Sequence, residues 1–301
     1  MKIPVVTGPT ATGKTAAVLE LAKNHPIEII SADAYQVYRH MDIGTAKASK
    51  EELAAVPHHL IDVMDPDATY SAGIFFEQAE RIIADVLSRG KVPVIAGGTG
   101  LYIESLQKGI FAAPERDKEL RARLEEDAED RGYAALHAEL TAIDPEFAAN
   151  VQPADKTRIV RGLELNRQLG MNVKDAQKKY HRNPAYEYDI FVIGGDRQLI
   201  YDRINKRVLK MIKDGWADEI KRLLEMGYDE SMDSFKAIGY REIAGCVRCG
   251  QDAMSVCERI QTATRNFAKR QLTWFRHMQG TSYLDMQDTR QVKILAQAFF
   301  S

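Results

Sequence analysis

Short apolar runs alternate with amphipathic stretches through the first third of the chain. Ile3 to Thr7 is an apolar run that enters a glycine loop, and Thr15 to Asn24 is Ala- and Leu-rich and reads as a helix. Ile27 to Ser31 predicts a second strand and Leu60 to Val63 a third. From Phe75 to Arg89, apolar residues recur at helical spacing (Phe75, Phe76, Ala79, Ile82, Ile83, Val86), and the pattern stops at Gly90. Val92 to Ala96 predicts a further strand running into Gly97-Gly98-Thr99-Gly100. Strands that alternate with helices in this way predict a parallel sheet covered by helices.

The pattern changes near Ala113, and from Pro114 to Gly170 it is helical and highly charged. Residues 111–155 hold 12 acids against 5 bases, and residues 156–182 hold 8 bases against 2 acids, so the charge reverses within the segment. An apolar run returns at Tyr188 to Gly195 and predicts a strand that rejoins the sheet. The expected architecture is therefore an α/β core formed by residues 1–112 and 185–301, with residues 113–184 as a helical insertion domain. The competing possibility is that those helices cover the sheet. Leu199 to Gly215, Ala217 to Met226 and Glu258 to Met278 predict helices in a mostly helical last third.

Composition narrows the classes. With 41 Lys+Arg against 43 Asp+Glu, the chain is not a uniformly basic nucleic-acid binder, although a local basic face is compatible with that balance. Three cysteines cannot build a disulfide framework, which fits a reducing, cytoplasmic setting. Cys246-Val247-Arg248-Cys249 lacks the second pair that a zinc site needs. His58 and His59 are adjacent, so an extended segment points them to opposite faces. No leader is visible at the N-terminus, and no apolar run is long enough to span a membrane.

The sharpest chemical signal is Gly8-Pro9-Thr10-Ala11-Thr12-Gly13-Lys14-Thr15, which matches G-x-x-x-x-G-K-[ST] between a predicted strand and helix. Backbone amides of such a loop curl around phosphate oxygens, and the helix N-terminus adds positive potential. Lys14 is expected on the terminal phosphate and Thr15 on Mg²⁺. A hydrolase would add a strand ending in a Mg²⁺-linked acid. The best candidate strand ends instead in Gly97-Gly98-Thr99-Gly100, which points towards transfer chemistry. Asp33 follows the second strand, at the edge where parallel sheets bind ligands. It could serve as a general base, ligate Mg²⁺ or cap the next turn.

Several longer strings resemble the tRNA dimethylallyltransferase (tRNA isopentenyltransferase) family. They are GPTATGKT at 8–15, SADAYQVYRHMDIGTAK at 31–47, PHHLIDVMDP at 57–66, PVIAGGTGLY at 93–102, DRQLIYDRINKRVLKM at 196–211, AIGYRE at 237–242 and AKRQLTWFR at 268–276. The resemblance implies transfer of a dimethylallyl group from its pyrophosphate to N6 of the adenine beside the tRNA anticodon. It implies Asp33 as the base, and Thr10, Thr99 and Arg207 beside Lys14 on the pyrophosphate. From the residues alone, Thr99 could equally be a turn residue and Arg207 a solvated surface arginine. The resemblance also implies that the anticodon loop meets Asp33-Ala34-Tyr35-Gln36, where many members have Ser in place of Ala34. Further tRNA contacts are implied for Gly239, Tyr240 and Arg241, and for Lys269, Arg270, Gln271 and Arg276. Arg158 and Arg161 of the basic run are further candidates. Mg²⁺ is the expected cofactor, and a monomer is the expected state.

The helix from Glu258 to Met278 carries Arg265, Lys269 and Arg276 on one face, a stripe suited to phosphate contacts. Phe267, Trp274 and Phe275 are expected as core anchors rather than base-stacking groups. Three other readings remain at this stage. A small-metabolite kinase predicts ATP turnover, an adenylate isopentenyltransferase predicts AMP as acceptor, and a non-enzymatic RNA-binding module predicts binding without transfer.

Overall fold

A computed structural model describes residues 2–112 and 117–300. The start of the charged stretch expected to be helical, at residues 113–116, lies outside the described residues. The chain divides into two units, one built from residues up to Lys108 and from Pro184 onward, the other from Gly109–Asn183.

The first unit is organised by strands β1 (Ile3–Thr7), β2 (Ile27–Ser31), β3 (His58–His59) and β4 (Val92–Gly97). The second unit carries the two-residue strands β5 (Ile110–Phe111) and β6 (His181–Arg182), which pair antiparallel. Strands β7 (Tyr188–Gly194) and β8 (Thr281–Asp285) return to the first. The main sheet runs β3-β2-β4-β1-β7-β8, and every ladder in it is parallel. β1 sits in the interior with Val5 beside Ile95 and Ile190, and all of its residues are buried. A strand covered on both faces reads as a continuous apolar run rather than an alternation, which is why these strands stand out in the sequence.

Helices α1 (Lys14–Ala22), α2 (Lys50–Ala55), α3 (Ala72–Ser88) and α4 (Gly100–Lys108) belong to the first half of this unit. α3 starts at Ser71, whose hydroxyl accepts from Ile74 N, and it buries Phe75, Phe76, Ala79, Ile83 and Val86 of the predicted stripe, with Ile82 half-buried. The second unit holds α5 (Lys118–Arg131), α6 (Tyr133–Ile143), α7 (Pro145–Ala148), α8 (Lys156–Leu169) and α9 (Val173–Lys179). They close around Leu124, Leu136, Leu140, Ile159 and Leu163, a core of their own. The chain then continues through α10 (Arg197–Lys213), α11 (Trp216–Glu225), α12 (Tyr240–Cys249), α13 (Cys257–His277) and α14 (Gln291–Phe300). Among the described residues, no helix is long and apolar enough to cross a membrane.

Two strands differ from expectation. The third strand lies at His58–His59 rather than Leu60 to Val63. Leu60 and Asp62 adopt left-handed φ of 62° and 55°, which ends strand geometry there. β8 arises beyond the last predicted helix, in a final third expected to be mostly helical. It is an edge strand with Tyr283 more than half exposed, so its apolar content is low.

Candidate active site

The carboxyl ends of β1, β4 and β2 carry the loops in which sequence reading placed its chemistry. After β1 the chain turns sharply at Gly8, with φ 139°. A Cβ there would stand 2.1 Å from the carbonyl oxygen of Ile193, so the loop can pass β7 only with glycine. Thr12 Oγ1 and Lys14 Nζ both donate to the Pro9 carbonyl, at 2.9 and 2.7 Å, and hold the loop curled in front of α1. Gln271 of α13 braces it from the far side. Its side-chain carbonyl accepts from Thr10 N at 2.9 Å, and its amide donates to the Gly98 carbonyl at 2.8 Å. Gln271 was expected on tRNA; it is 6% exposed, and its amide ties the 8–15 loop to the end of β4.

Asp33 stands beyond β2 with one carboxylate oxygen, Oδ1, accepting from Tyr35 N at 2.9 Å and Gln36 N at 3.2 Å. Burial raises its pKa, opposed by those two amide bonds and by the Lys14 charge. Thr99 Oγ1 accepts from Ala34 N at 3.1 Å, so the β4 loop fixes the residue next to the acid. Gln36 spends its amide internally. It accepts from Ser31 Oγ at 3.1 Å and donates to the carbonyls of Thr45 and Ala46 at 3.3 and 3.2 Å. From α10, Arg207 reaches across and donates to Thr10 Oγ1 at 3.2 Å.

Thr10, Asp33, Thr99, Arg207 and Gln271 open into one cavity of about 540 Å³. Thr10, Asp33, Thr99 and Arg207 are among its polar lining, with Lys236 and Arg270, and Met211, Ile238, Phe267 and Trp274 are among its apolar lining. An anionic head and an apolar tail would each find matching walls there. Burial pulls the Lys14 ammonium down to about 7, helped by the Arg207 charge and resisted by Asp33. A bound polyphosphate favours the charged form and raises that value again. Anion binding therefore takes up a proton above pH 7, and affinity should fall by about tenfold per pH unit from there upwards. Calorimetry of inorganic pyrophosphate binding in two buffers of different ionisation enthalpy measures the proton uptake. The Lys14→Met variant should take up less than the wild type in the same buffers, since the titration of pyrophosphate itself is common to both.

The loop after Tyr38 forms another wall, and it is held by a residue that the sequence reading did not single out. Glu219 of α11 is 2% exposed. Its carboxylate accepts from the amides of Asp42, Ile43 and Gly44 at 2.8, 2.6 and 3.3 Å, and from the Tyr240 hydroxyl at 2.7 Å. Burial and the adjacent carboxylate push the Tyr240 phenol well above its usual range. Lys47 completes the clasp with bonds to the Tyr38 carbonyl and to Asp42 and Asp62, at 2.8, 2.6 and 2.5 Å. Glu219 lies on the buried stripe of its helix with Trp216, Ile220 and Leu223. An acid on an apolar stripe was the signal available.

Other expected contacts are placed differently. Tyr240 is fully buried and its hydroxyl is used on Glu219, so its side chain has no face for RNA; Arg241 beside it is exposed. Gly239 begins α12 with its N–H donating to Glu242. Arg265 leaves the proposed basic stripe because it bonds Asn205 of α10 at 2.7 Å. Lys269, Arg270 and Arg276 are exposed. Arg158 and Arg161 lie in the second unit, where Arg158 donates to the Asn150 carbonyl at 3.0 Å and Arg161 pairs with Glu164 at 3.0 Å. Of the three aromatics expected in the core, only Phe275 is buried there. Phe267 and Trp274 line the cavity, and Trp274 is 41% exposed. Cys246 and Cys257 are buried, and no group of three or more metal-binding side chains occurs among the described residues.

A parallel α/β sheet with a glycine loop, an acid, a threonine and an arginine gathered at its carboxyl edge defines an α/β protein of ligand-binding class. Sequence comparison makes the class specific: residues 36–278 match the family model described as IPP transferase, and the chain belongs to that family. It is 44% identical to tRNA dimethylallyltransferase 1 of Syntrophotalea carbinolica over 94% of this chain and 90% of that protein. It is 42% identical to a tRNA dimethylallyltransferase of Thermotoga petrophila, covering 97% of this chain and 96% of the relative. A full-length tRNA isopentenylpyrophosphate transferase from Bacillus halodurans matches with a TM-score of 0.72 at 35% identity, covering 99% of this chain and 95% of the other.

Proposed function

We propose that this chain transfers a dimethylallyl group from dimethylallyl pyrophosphate to N6 of the adenine adjacent to the anticodon in tRNA, releasing pyrophosphate. The observation that carries the reading is the meeting of Thr10, Arg207, Asp33 and Thr99 in one cavity whose remaining walls are largely apolar. Residues 8–15 with Thr99 and Arg207 hold the pyrophosphate, and the isoprenoid lies against Met211 and Phe267.

The donor's C1–O bond breaks and its electron pair leaves on the pyrophosphate. The N6–C1 bond forms, and the proton lost by N6 passes to the Asp33 carboxylate. Loop amides, Lys14 and Arg207 stabilise the charge that builds on the leaving group. Asp33 orients N6 through the carboxylate oxygen not used by Tyr35 and Gln36. Thr15, exposed in the first turn of α1, would hold Mg²⁺. Its single hydroxyl suits an ion that takes its other ligands from phosphate oxygens and water. When bound, the ion supplies charge neutralisation at the pyrophosphate. An adenine stacked in an anticodon loop cannot reach this cavity, so the base is flipped out of the loop. The exposed Lys269, Arg270, Arg276 and Arg241 supply contacts to the RNA backbone.

The test is a transfer assay with labelled dimethylallyl pyrophosphate, Mg²⁺ and an unmodified anticodon stem-loop. Label in the RNA is the expected outcome. Label on AMP but not on the stem-loop would move the acceptor to a free nucleotide. Phosphoryl transfer from ATP without prenylation would replace the reading by a kinase.

A further inference from the structure

A second cavity, of about 770 Å³, lies next to the first along α13. Glu104 and Lys108 of α4 line it together with Lys269, Arg270, Trp274 and His277 of α13. Arg270 and Trp274 line both cavities, so the indole and its neighbouring guanidinium form the partition between them. The indole is held in place. A Cβ on Gly100, at the start of α4, would stand 2.5 Å from Trp274 Cδ1. Its partial exposure of 41% leaves ring surface open. Lys108 is paired with Glu104 at 2.6 Å, so the acid of this cavity is matched by one base, and Lys269 and Arg270 make the remainder cationic. The Arg270 guanidinium sits over the Phe267 ring at 5.8 Å, on the side of the first cavity.

We infer that the second cavity receives the base of the nucleotide adjacent to the modified adenosine, stacked on Trp274, with its phosphate on Lys269 and Arg270. The inference rests on the proposed RNA substrate and extends it. Flipping one nucleotide out of a loop separates its neighbour from the stack on that side. A displaced base needs a π surface and its phosphate needs a cation. Trp274 with Lys269 and Arg270 supplies both, one partition away from the target adenine. Each base of the pair then has its own cavity, and the indole keeps them from restacking on one another. The sequence preference expected at the flanking position is mild, because every base has a face to stack.

The test is a cycle between the protein and the RNA, using the full chain. Anticodon stem-loops carrying an abasic site on either side of the target adenosine are compared with the intact loop, for the wild type, Trp274→Phe and Trp274→Ala. One abasic position should lower kcat/KM of the wild type and of Trp274→Phe by about tenfold or more. Trp274→Ala should show a similar loss on the intact loop and no further loss at that abasic position. With 2-aminopurine at the same position, binding should stack and quench the probe for the wild type and Trp274→Phe but not for Trp274→Ala. Equal abasic penalties in the wild type and Trp274→Ala, or unchanged quenching in Trp274→Ala, would overturn the inference. Wild type that transfers to the intact loop but pays no penalty at either abasic position overturns it too, and leaves the proposed function standing. Wild type that transfers to no stem-loop removes both. Trp216, fully buried, reports on the fold of each variant by its fluorescence.

Discussion

Asp33→Asn should lower the transfer rate by about 10²- to 10⁴-fold, the range expected on losing a positioned general base. The substitution is close to ideal for the purpose. Asn keeps the Oδ1 acceptor that caps Tyr35 N and Gln36 N, so the turn that follows β2 survives. Only the second oxygen changes, from a proton acceptor to an amide NH₂. Donor binding should be affected less, and in a pH-dependent way. Asp33 raises the Lys14 pKa, so its loss lets that pKa fall below about 7 and lowers the charged fraction of the lysine at neutral pH. Pyrophosphate affinity in the variant should therefore match the wild type near pH 6 and drop below it above pH 7. The pH profile of transfer provides the second check. Because burial raises the Asp33 pKa, the wild-type acid limb should lie above the ordinary carboxylate range. Rate falls there as pH falls, since the base must be ionised. The residual activity of Asp33→Asn should lack that limb. A variant with wild-type rate at all pH values would remove Asp33 as the base.

Much of the site is legible in the sequence because it is local. The 8–15 loop declares its conformation through residues that adjoin one another, and β1 and α1 on either side of it follow from short apolar runs. Asp33 and Thr99 are legible as the first polar residues beyond β2 and β4. Arg207 is not; without the family strings, nothing separates it from Arg203 one turn earlier on α10. What brings it to Thr10 is the packing of α10, a property of the whole unit. Trp274 shows why periodicity misleads at a cavity. The buried face of α13 runs through Ala268, Gln271 and Phe275, and Phe267 and Trp274 sit one residue earlier on each turn. That offset of about 100° turns two apparent core aromatics towards open space. Gln271 shows the converse, since a polar residue on the buried face reads as a surface contact until its two partners, Thr10 and Gly98, are known.

Glu219→Ala should cost about 1–3 kcal/mol of stability for the buried Tyr240 hydroxyl left without an acceptor, and more for the part-buried amides it also frees. Four donors converge on this carboxylate: three consecutive amides and the Tyr240 hydroxyl. Glu219→Gln keeps the shape and still fails, since its NH₂ must face an N–H or O–H that needs an acceptor. The consequence should travel to the chemistry along a continuous chain of contacts. Residues 42–44 lead into Thr45 and Ala46, whose carbonyls take the Gln36 amide, and Gln36 N is one of the two donors on Asp33. A shift of about 1 Å at Asp33 is enough to cost ~10²-fold in rate. Lys14, Thr10 and Arg207 make no bond to this loop, so the KM for the pyrophosphate donor should stay close to wild type. Three measurements separate this from general unfolding of the protein. Urea denaturation followed by tryptophan fluorescence gives the stability loss, because Trp216 is fully buried beside Tyr240, with ring centroids 5.7 Å apart. Hydrogen exchange should accelerate at the amides of residues 42–44 in Glu219→Gln while β1 and β4 remain protected. Kinetics should show lower kcat at an unchanged donor KM. If kcat and the donor KM change in parallel, or if exchange rises evenly through the sheet, Glu219 serves the fold alone and the loop it clasps does not position Asp33.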